Sequence, residues 1–245
     1  MNKKKLKICI VIPCYKVVDK IENVINKINF NIIDKVFIVD DCCPENTGSY
    51  LKKKKIKNLE ILILKNNLGV GGATMIGFKT AIKNNYDIIF KIDGDGQHDP
   101  KDITKFLRAF KMKNINFCKG TRFLNKGRRE IPFIRYYGNI CLTFLSRITC
   151  KNYIITDVVN GFLGIKLKLL KKINLNSLSK DFFFEEDLLF HVSFHETKIG
   201  EVPIKTIYHE KSNLNPVKTI IPFLIKHARN LIIRCMHEIF KKKIY

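Results

Sequence analysis

The sequence predicts an α/β fold: a mostly parallel sheet flanked by helices, forming a single domain with a C-terminal amphipathic helix. Three observations carry this. Short, continuous β-prone runs alternate with stretches of helical spacing. Each run gives way to a polar or glycine-bearing turn. The last stretch, Thr219 to Lys243, is apolar on one helical face and basic on the other. Alternation of this kind is the signature of strands buried on both faces by crossover helices.

Ile8-Cys9-Ile10-Val11-Ile12 is the first such run and stops at Pro13. Asp19 to Ile28 then places Ile21, Val24, Ile25 and Ile28 on one helical face. Val36-Phe37-Ile38-Val39 is a second strand ending in Asp40-Asp41, and a turn through Pro44 and Gly48 leads to a basic helix. Leu59 to Leu64 is a third strand. Asn66 to Gly72 reads as a loop, followed by a helix over Ala73 to Lys83. Ile88-Ile89-Phe90-Lys91-Ile92 is the fourth strand and runs into Asp93-Gly94-Asp95-Gly96-Gln97-His98-Asp99-Pro100. In parallel sheets ligands gather at the carboxyl ends of strands. Tyr15, Asp40-Asp41, the Asn67–Gly72 loop and the Asp93-x-Asp95 pair all fall there.

Two carboxylates one residue apart repel each other, so they stay ionised beside a cation or strong donors. An all-oxygen set suits a hard ion, Mg²⁺ or Mn²⁺, that completes its shell with water and substrate phosphates. A plain acidic turn is the competing reading. A calcium-binding EF-hand loop is excluded, because its sixth and twelfth positions fall on His98 and Thr104. The glycine loop is neither G-x-G-x-x-G, whose last glycine would fall on Thr74, nor a P-loop. Its exposed N–H groups at a helix start, Gly71 among them, either meet an anion or form an ordinary turn.

The chain has 245 residues, long enough for a sizeable core, with 45 Lys and Arg against 22 Asp and Glu for a net charge of +23. That balance calls for an anionic partner: nucleic acid, phospholipid headgroups or phosphorylated substrates. The lysines are scattered, and no nucleic-acid signature accompanies them, so a basic nucleic-acid-binding protein ranks last and no nucleic acid is expected as a partner. Eight cysteines without a C-x-x-C pair suit reduced thiols. No apolar run is long enough to span a bilayer.

Taken together and in order, several segments resemble those of the inverting family 2 glycosyltransferases with the Rossmann-like GT-A fold. They are Val11-Ile12-Pro13-Cys14-Tyr15, Val39-Asp40-Asp41, Asn67-x-Gly69-x-Gly71-x-Ala73, Asp93 to Pro100, Lys119-Gly120-Thr121-Arg122-Phe123, Thr156-Asp157 with Asn160-Gly161-Phe162, and Gly200-Glu201-Val202-Pro203-Ile204. The branch they resemble most is that of the dolichyl- and polyprenyl-phosphate sugar synthases. The resemblance implies a metal-dependent hexosyltransferase with a nucleotide-sugar donor, a UDP- or GDP-sugar. Pro13, Tyr15, Asp40, Asp41, Gly71 and Asp93 would bind that donor, and Asp93, Asp95 and Gln97 would hold the metal. Arg122 stands where the family places a phosphate-binding arginine, and Arg135 is a candidate second one. Two departures bear on the nucleotide pocket. The family's P-x-Y-N-E is here Pro13-Cys14-Tyr15-Lys16-Val17, and its D-D-x-S-x-D is Asp40-Asp41-Cys42-Cys43-Pro44-Glu45. The base and the sugar are therefore not carried over.

The implied acceptor is a polyprenyl phosphate, as in a cell-envelope pathway; a hydroxyl on a growing cell-surface glycan is the alternative. A sugar hydroxyl needs a carboxylate base, whereas a phosphate monoester, with a second pKa of about 6, is already ionised at neutral pH. In Phe184-Glu185-Glu186-Asp187-Leu188, Asp187 aligns best with the family's acidic residue and Glu186 next, so the expected catalytic set is Asp95, Arg122, Asp187 and Glu186. Residues 1–215 read as the glycosyltransferase domain and 216–245 as the helix. Ile221, Ile225, Ala228, Ile232, Cys235 and Ile239 share one face of that helix, with Lys226, Arg229, Asn230, Arg234 and His237 opposite. Such a helix lies on an anionic membrane or packs on its own domain. The first reading makes the protein cytoplasmic and peripheral on the inner face of the membrane.

Overall fold

The computed structural model describes residues 5–124, 133–152, 154–207 and 216–242. Seven strands form one sheet: β1 (Ile8–Cys14), β2 (Lys35–Asp40), β3 (Leu59–Ile63), β4 (Ile88–Lys91), β5 (Phe117–Thr121), β6 (Leu163–Lys166) and β7 (Ile199–Pro203). Their order across the sheet is β3-β2-β1-β4-β6-β5-β7. The first four run parallel, as the alternating pattern requires, and β6 is antiparallel to both β4 and β5. β5 and β7 are parallel.

The helices are α1 (Ile21–Asn26), α2 (Thr47–Lys54), α3 (Gly69–Lys83), α4 (Ile103–Met112), α5 (Phe133–Cys150), α6 (Leu167–Leu170), α7 (Phe184–Val192) and α8 (Pro216–Lys242). Alternate strand residues feed two cores on opposite faces of the sheet. Cys9, Val11, Phe37, Val39 and Ile89 pack with α3, α6 and α7. Ile8, Ile10, Ile12, Val36, Ile38 and Phe90 pack with α1 and α4. The continuous apolar runs are thus explained by burial on both faces.

One boundary differs from expectation. The glycine stretch opens α3 instead of forming a loop. Gly69, at φ 78°, makes the turn, and its N–H donates to the Asn67 side chain at 3.1 Å. Gly71 is required by close packing: a Cβ there would collide with the Ser179 carbonyl and lie 2.8 Å from Phe184 Cβ.

Sheet geometry sets the site. β1, β2 and β4 end at one edge, with Cys14 opposite Asp40 and Val11 opposite Lys91. Because β6 runs the other way, its start lies at that same edge, with Leu163 paired to Lys91. Gly161, two residues before β6, is thereby brought against Asp93.

Candidate active site

The carboxyl edge of the sheet opens into a cleft of about 1040 Å³. At one end it is lined by Pro13 and Tyr15 after β1, by Asp41 after β2, and by Asn67 and Gly69 at the start of α3. In the middle are Lys91, Asp93, Asp95, Gln97 and Gly161, and at the far end Val159, Phe182, Glu185 and Phe223.

The middle of the cleft is dominated by charge. Lys91, in an otherwise apolar strand, is fully buried, and its Nζ lies 2.5 Å from Asp93 Oδ1 and 2.6 Å from Glu185 Oε1. Burial alone would lower the Lys91 pKa, but the two carboxylates more than offset that and raise it. Burial pushes the Asp93 carboxyl up, but the Lys91 charge and hydrogen bond, together with His98 and Lys119, offset it and hold Asp93 below the ordinary range. Burial and then the Asp93 charge raise the Asp95 carboxyl, while its Oδ1 accepts the Gln97 N–H at 3.0 Å. His98 is buried beside them, 3.8 Å from Asp93 Oδ2, and desolvation pulls it down to about 4.

These residues fit a hard divalent cation. Asp93, Asp95 and Gln97 all line the cleft, two carboxylates and an amide that offer oxygen ligands. Among the described residues no three His, Cys, Asp or Glu side chains form a metal cage by themselves. That suits an ion completing its shell with water and a diphosphate.

At the nucleotide end the two aspartates differ. Asp40 is buried in its own loop, accepting from the N–H of Cys43 at 2.7 Å and of Gly48 at 2.5 Å, and it does not line the cleft. Asp41 does, and its Oδ1 accepts the Leu68 N–H at 2.7 Å. Gly71 is packed beneath the cleft wall, away from the lining.

Arg122 follows β5 and is oriented by Asp157, which accepts from its backbone N–H at 3.0 Å, from Nε at 2.7 Å and from Nη2 at 2.8 Å. Asn139 of α5 adds a bond to the same carboxylate at 2.6 Å. The Lys119-Gly120-Thr121-Arg122 and Thr156-Asp157 segments are thus the two halves of one buried ion pair. Beneath them Lys119 donates to the Asn160 carbonyl at 2.8 Å, and desolvation lowers it to about 8. Arg135 falls in α5, but its side chain lies outside the described residues, as does all of Tyr208 to Ser212.

The three acidic residues of α7 point in three directions, as successive helical residues must. Glu185 reaches the cleft and Lys91. Glu186 turns to α5 and α8, with Oε2 2.9 Å from Ser146 Oγ and 2.8 Å from His227 Nε2. Asp187 accepts from the Ser179 N–H at 2.8 Å and from Arg229 Nη2 at 2.7 Å. The structure therefore places Glu186 and Asp187, the two carboxylates expected in the cleft, outside it and brings in Glu185. A sequence signal existed for Lys91, a charge inside a buried strand. None distinguished Glu185 from its neighbours, because the helical phase relative to the cleft is set by tertiary packing.

The last helix is docked by its polar side. Phe223, His227, Asn230 and Arg234 of α8 are buried, whereas Ile221, Ile225, Ile232 and Ile239 are each more than half exposed. Phe133, Tyr137 and Phe144 of α5, which packs on α8, are exposed as well. No helix among the described residues is long and apolar enough to cross a membrane.

Comparison with known proteins agrees with this architecture. Residues 9–173 match the family model for Glycosyl transferase family 2. The chain is 30% identical over 233 residues to a UDP-N-acetylglucosamine–dolichyl-phosphate N-acetylglucosaminyltransferase of Methanococcus voltae, covering 89% of this chain and 92% of that protein. It is 22% identical to an undecaprenyl-phosphate mannosyltransferase of Micrococcus luteus, covering 84% and 85%. A crystal structure of glucosyl-3-phosphoglycerate synthase from Mycobacterium tuberculosis with Mn²⁺, uridine diphosphate and phosphoglyceric acid superposes with a TM-score of 0.68 at 14% identity, over 94% of this chain and 78% of that one. With its mixed seven-stranded sheet of GT-A type and its ordered motifs, the chain belongs to glycosyl transferase family 2.

Proposed function

We propose that this glycosyltransferase moves a sugar, with inversion, from a UDP- or GDP-sugar to a polyprenyl phosphate at the cytoplasmic face of a membrane. The observation that carries the donor half is the Asp93–Asp95 pair at the end of β4, facing a cleft whose other end is lined by Asp41, Asn67 and Tyr15. Asp93, Asp95 and Gln97 would hold Mg²⁺ or Mn²⁺, which when bound neutralises charge developing on the leaving nucleoside diphosphate. Asp41 and Asn67 would orient the base and ribose. An acceptor phosphate oxygen attacks the anomeric carbon as the carbon–oxygen bond to the diphosphate breaks, and that bond's electron pair leaves with the diphosphate. Arg122, fixed by Asp157, and Arg135 would hold the acceptor phosphate.

The acceptor half draws on the names of the relatives from M. voltae and M. luteus and on the placement of the α7 carboxylates. A phosphate acceptor needs no base, and the one acidic side chain that α7 brings to the cleft, Glu185, is engaged by Lys91. The membrane reading draws on the outward apolar faces of α5 and α8 and on the net charge of +23, which suits an anionic leaflet. In this reading residues 1–215 do the chemistry and 216–245 hold the protein at the surface.

The test offers labelled UDP- and GDP-sugars with Mn²⁺ or Mg²⁺ and vesicles with or without polyprenyl phosphate. Label entering the lipid fraction, with stoichiometric nucleoside diphosphate release, is the expected result and identifies the donor. Transfer to a soluble glycan with an unlabelled lipid fraction would overturn the acceptor assignment in favour of a hydroxyl acceptor. No release from any donor would overturn the enzyme reading.

A further inference from the structure

We infer that Lys91 is a positioning residue that makes cation binding at Asp93 and Asp95 depend on the donor diphosphate. This rests on the metal–diphosphate reading above and goes beyond it. The strand that carries Lys91 is otherwise Ile88, Ile89 and Phe90, and Ile92 follows it, so packing alone would be met by another apolar side chain. Instead an ammonium group is buried in the floor of the cleft, with Asp93 Oδ1 at 2.5 Å and Glu185 Oε1 at 2.6 Å. Gly161 closes over it: a Cβ there would stand 2.8 Å from Lys91 Nζ and collide with Asp93 Oδ2.

Two consequences follow from charge and geometry. Asp93 is half-committed, since one oxygen is held from behind by Lys91 and only the other is left for the cleft. A divalent ion at Asp93 and Asp95 would also face the fixed positive charge of Lys91, whose side chain is 1% exposed and so is little screened by water. A diphosphate supplies the negative charge that relieves that repulsion, so cation and donor bind together far better than the cation does alone. Glu185 completes the device. It shares the ammonium with Asp93 and so keeps Lys91 from pairing with the metal-facing carboxylate exclusively.

The readout is Mn²⁺ binding to the full-length protein, by calorimetry and by the paramagnetic resonance of free Mn²⁺, alone and with UDP or GDP. The unaltered protein should bind Mn²⁺ weakly alone and much more tightly with a nucleotide. Lys91→Met should bind Mn²⁺ alone about tenfold more tightly, gain less from the nucleotide, and transfer sugar more slowly. That sign separates this role from a structural one, because a merely loosened site would lose Mn²⁺. A folded Lys91→Met protein whose affinity for Mn²⁺ is unchanged or weaker overturns the inference while leaving the metal reading standing. Should Lys91→Met fail to fold with Glu185 left unpaired, the same comparison is made between Lys91→Met/Glu185→Gln and Glu185→Gln alone. The double variant should bind Mn²⁺ more tightly, and equal or weaker binding overturns the inference. Absence of Mn²⁺ binding to the parent, with either nucleotide, takes down the metal reading and this one together.

Discussion

Asp157 is fully buried, and burial alone would raise its carboxyl pKa; the charge and hydrogen bonds of Arg122, with the Asn139 hydrogen bond, together outweigh that and hold it below the ordinary value. A depressed carboxylate stabilises the fold at pH values above its unfolded pKa, and the contribution is lost as pH falls through the lower folded value. Asp157→Asn should therefore cost about 3–5 kcal/mol at pH 7, because it leaves Arg122 paired to a neutral group. The difference from the parent should shrink as the pH is taken below about 4. Chemical denaturation at pH 7 and in the acid limb measures both. Gly161 gives a second residue-scale prediction. Gly161→Ala pushes a methyl group into Asp93 and Lys91, so donor turnover should fall at least about tenfold, with an overpacking cost of about 1–3 kcal/mol. Kinetics and thermal unfolding of the variant check the two parts. At this scale the sequence was legible where chemistry is local. The Asp93-x-Asp95 turn announces itself by composition, and Lys91 is a charge where the strand pattern wants an apolar residue. The pairing of Arg122 with Asp157, 35 residues apart, is a matter of which strands become neighbours, and no local pattern encodes it.

At the scale of elements, the four parallel strands and their helices were readable because burial on both faces leaves continuous apolar runs. The reversed strand β6 was not, since a four-residue strand reads alike in either direction. The two amphipathic elements show the same limit. Periodicity located the apolar and basic faces of α8, yet the structure docks the basic one, burying His227 against Glu186 and anchoring Arg229 on Asp187. This arrangement predicts opposite phenotypes on the two faces of one helix. Ile225→Glu with Ile232→Glu, at positions 64% and 60% exposed, should leave thermal stability within about 0.5 kcal/mol of the parent. The same protein should no longer float with anionic vesicles. Arg229→Ala should instead lower the melting temperature, since it strips a partner from the buried Asp187. Flotation and thermal melts on both proteins decide it. Retained flotation of the double variant would contradict the membrane role of α8.

For the whole molecule, the cleft joins the end of the sheet, the proposed site of the nucleotide and the cation, to the wall formed by Phe182, Glu185 and Phe223. Phe223 belongs to α8, so the helix with the outward apolar face also borders the site. If α8 lies on a membrane as proposed, one surface would adjoin both the lipid layer and the cleft, which suits an acceptor with a soluble head and an apolar tail. A phosphate-oxygen nucleophile, as proposed, needs no base. The most direct measurement compares a polyprenyl phosphate with the polyprenol of the same chain length, in the same anionic vesicles and with the same labelled donor. Label should enter the phosphate-bearing lipid and not the alcohol, unchanged by Asp187→Asn in protein that remains folded. Equal labelling of the alcohol, or transfer abolished in a folded Asp187→Asn protein, would contradict it.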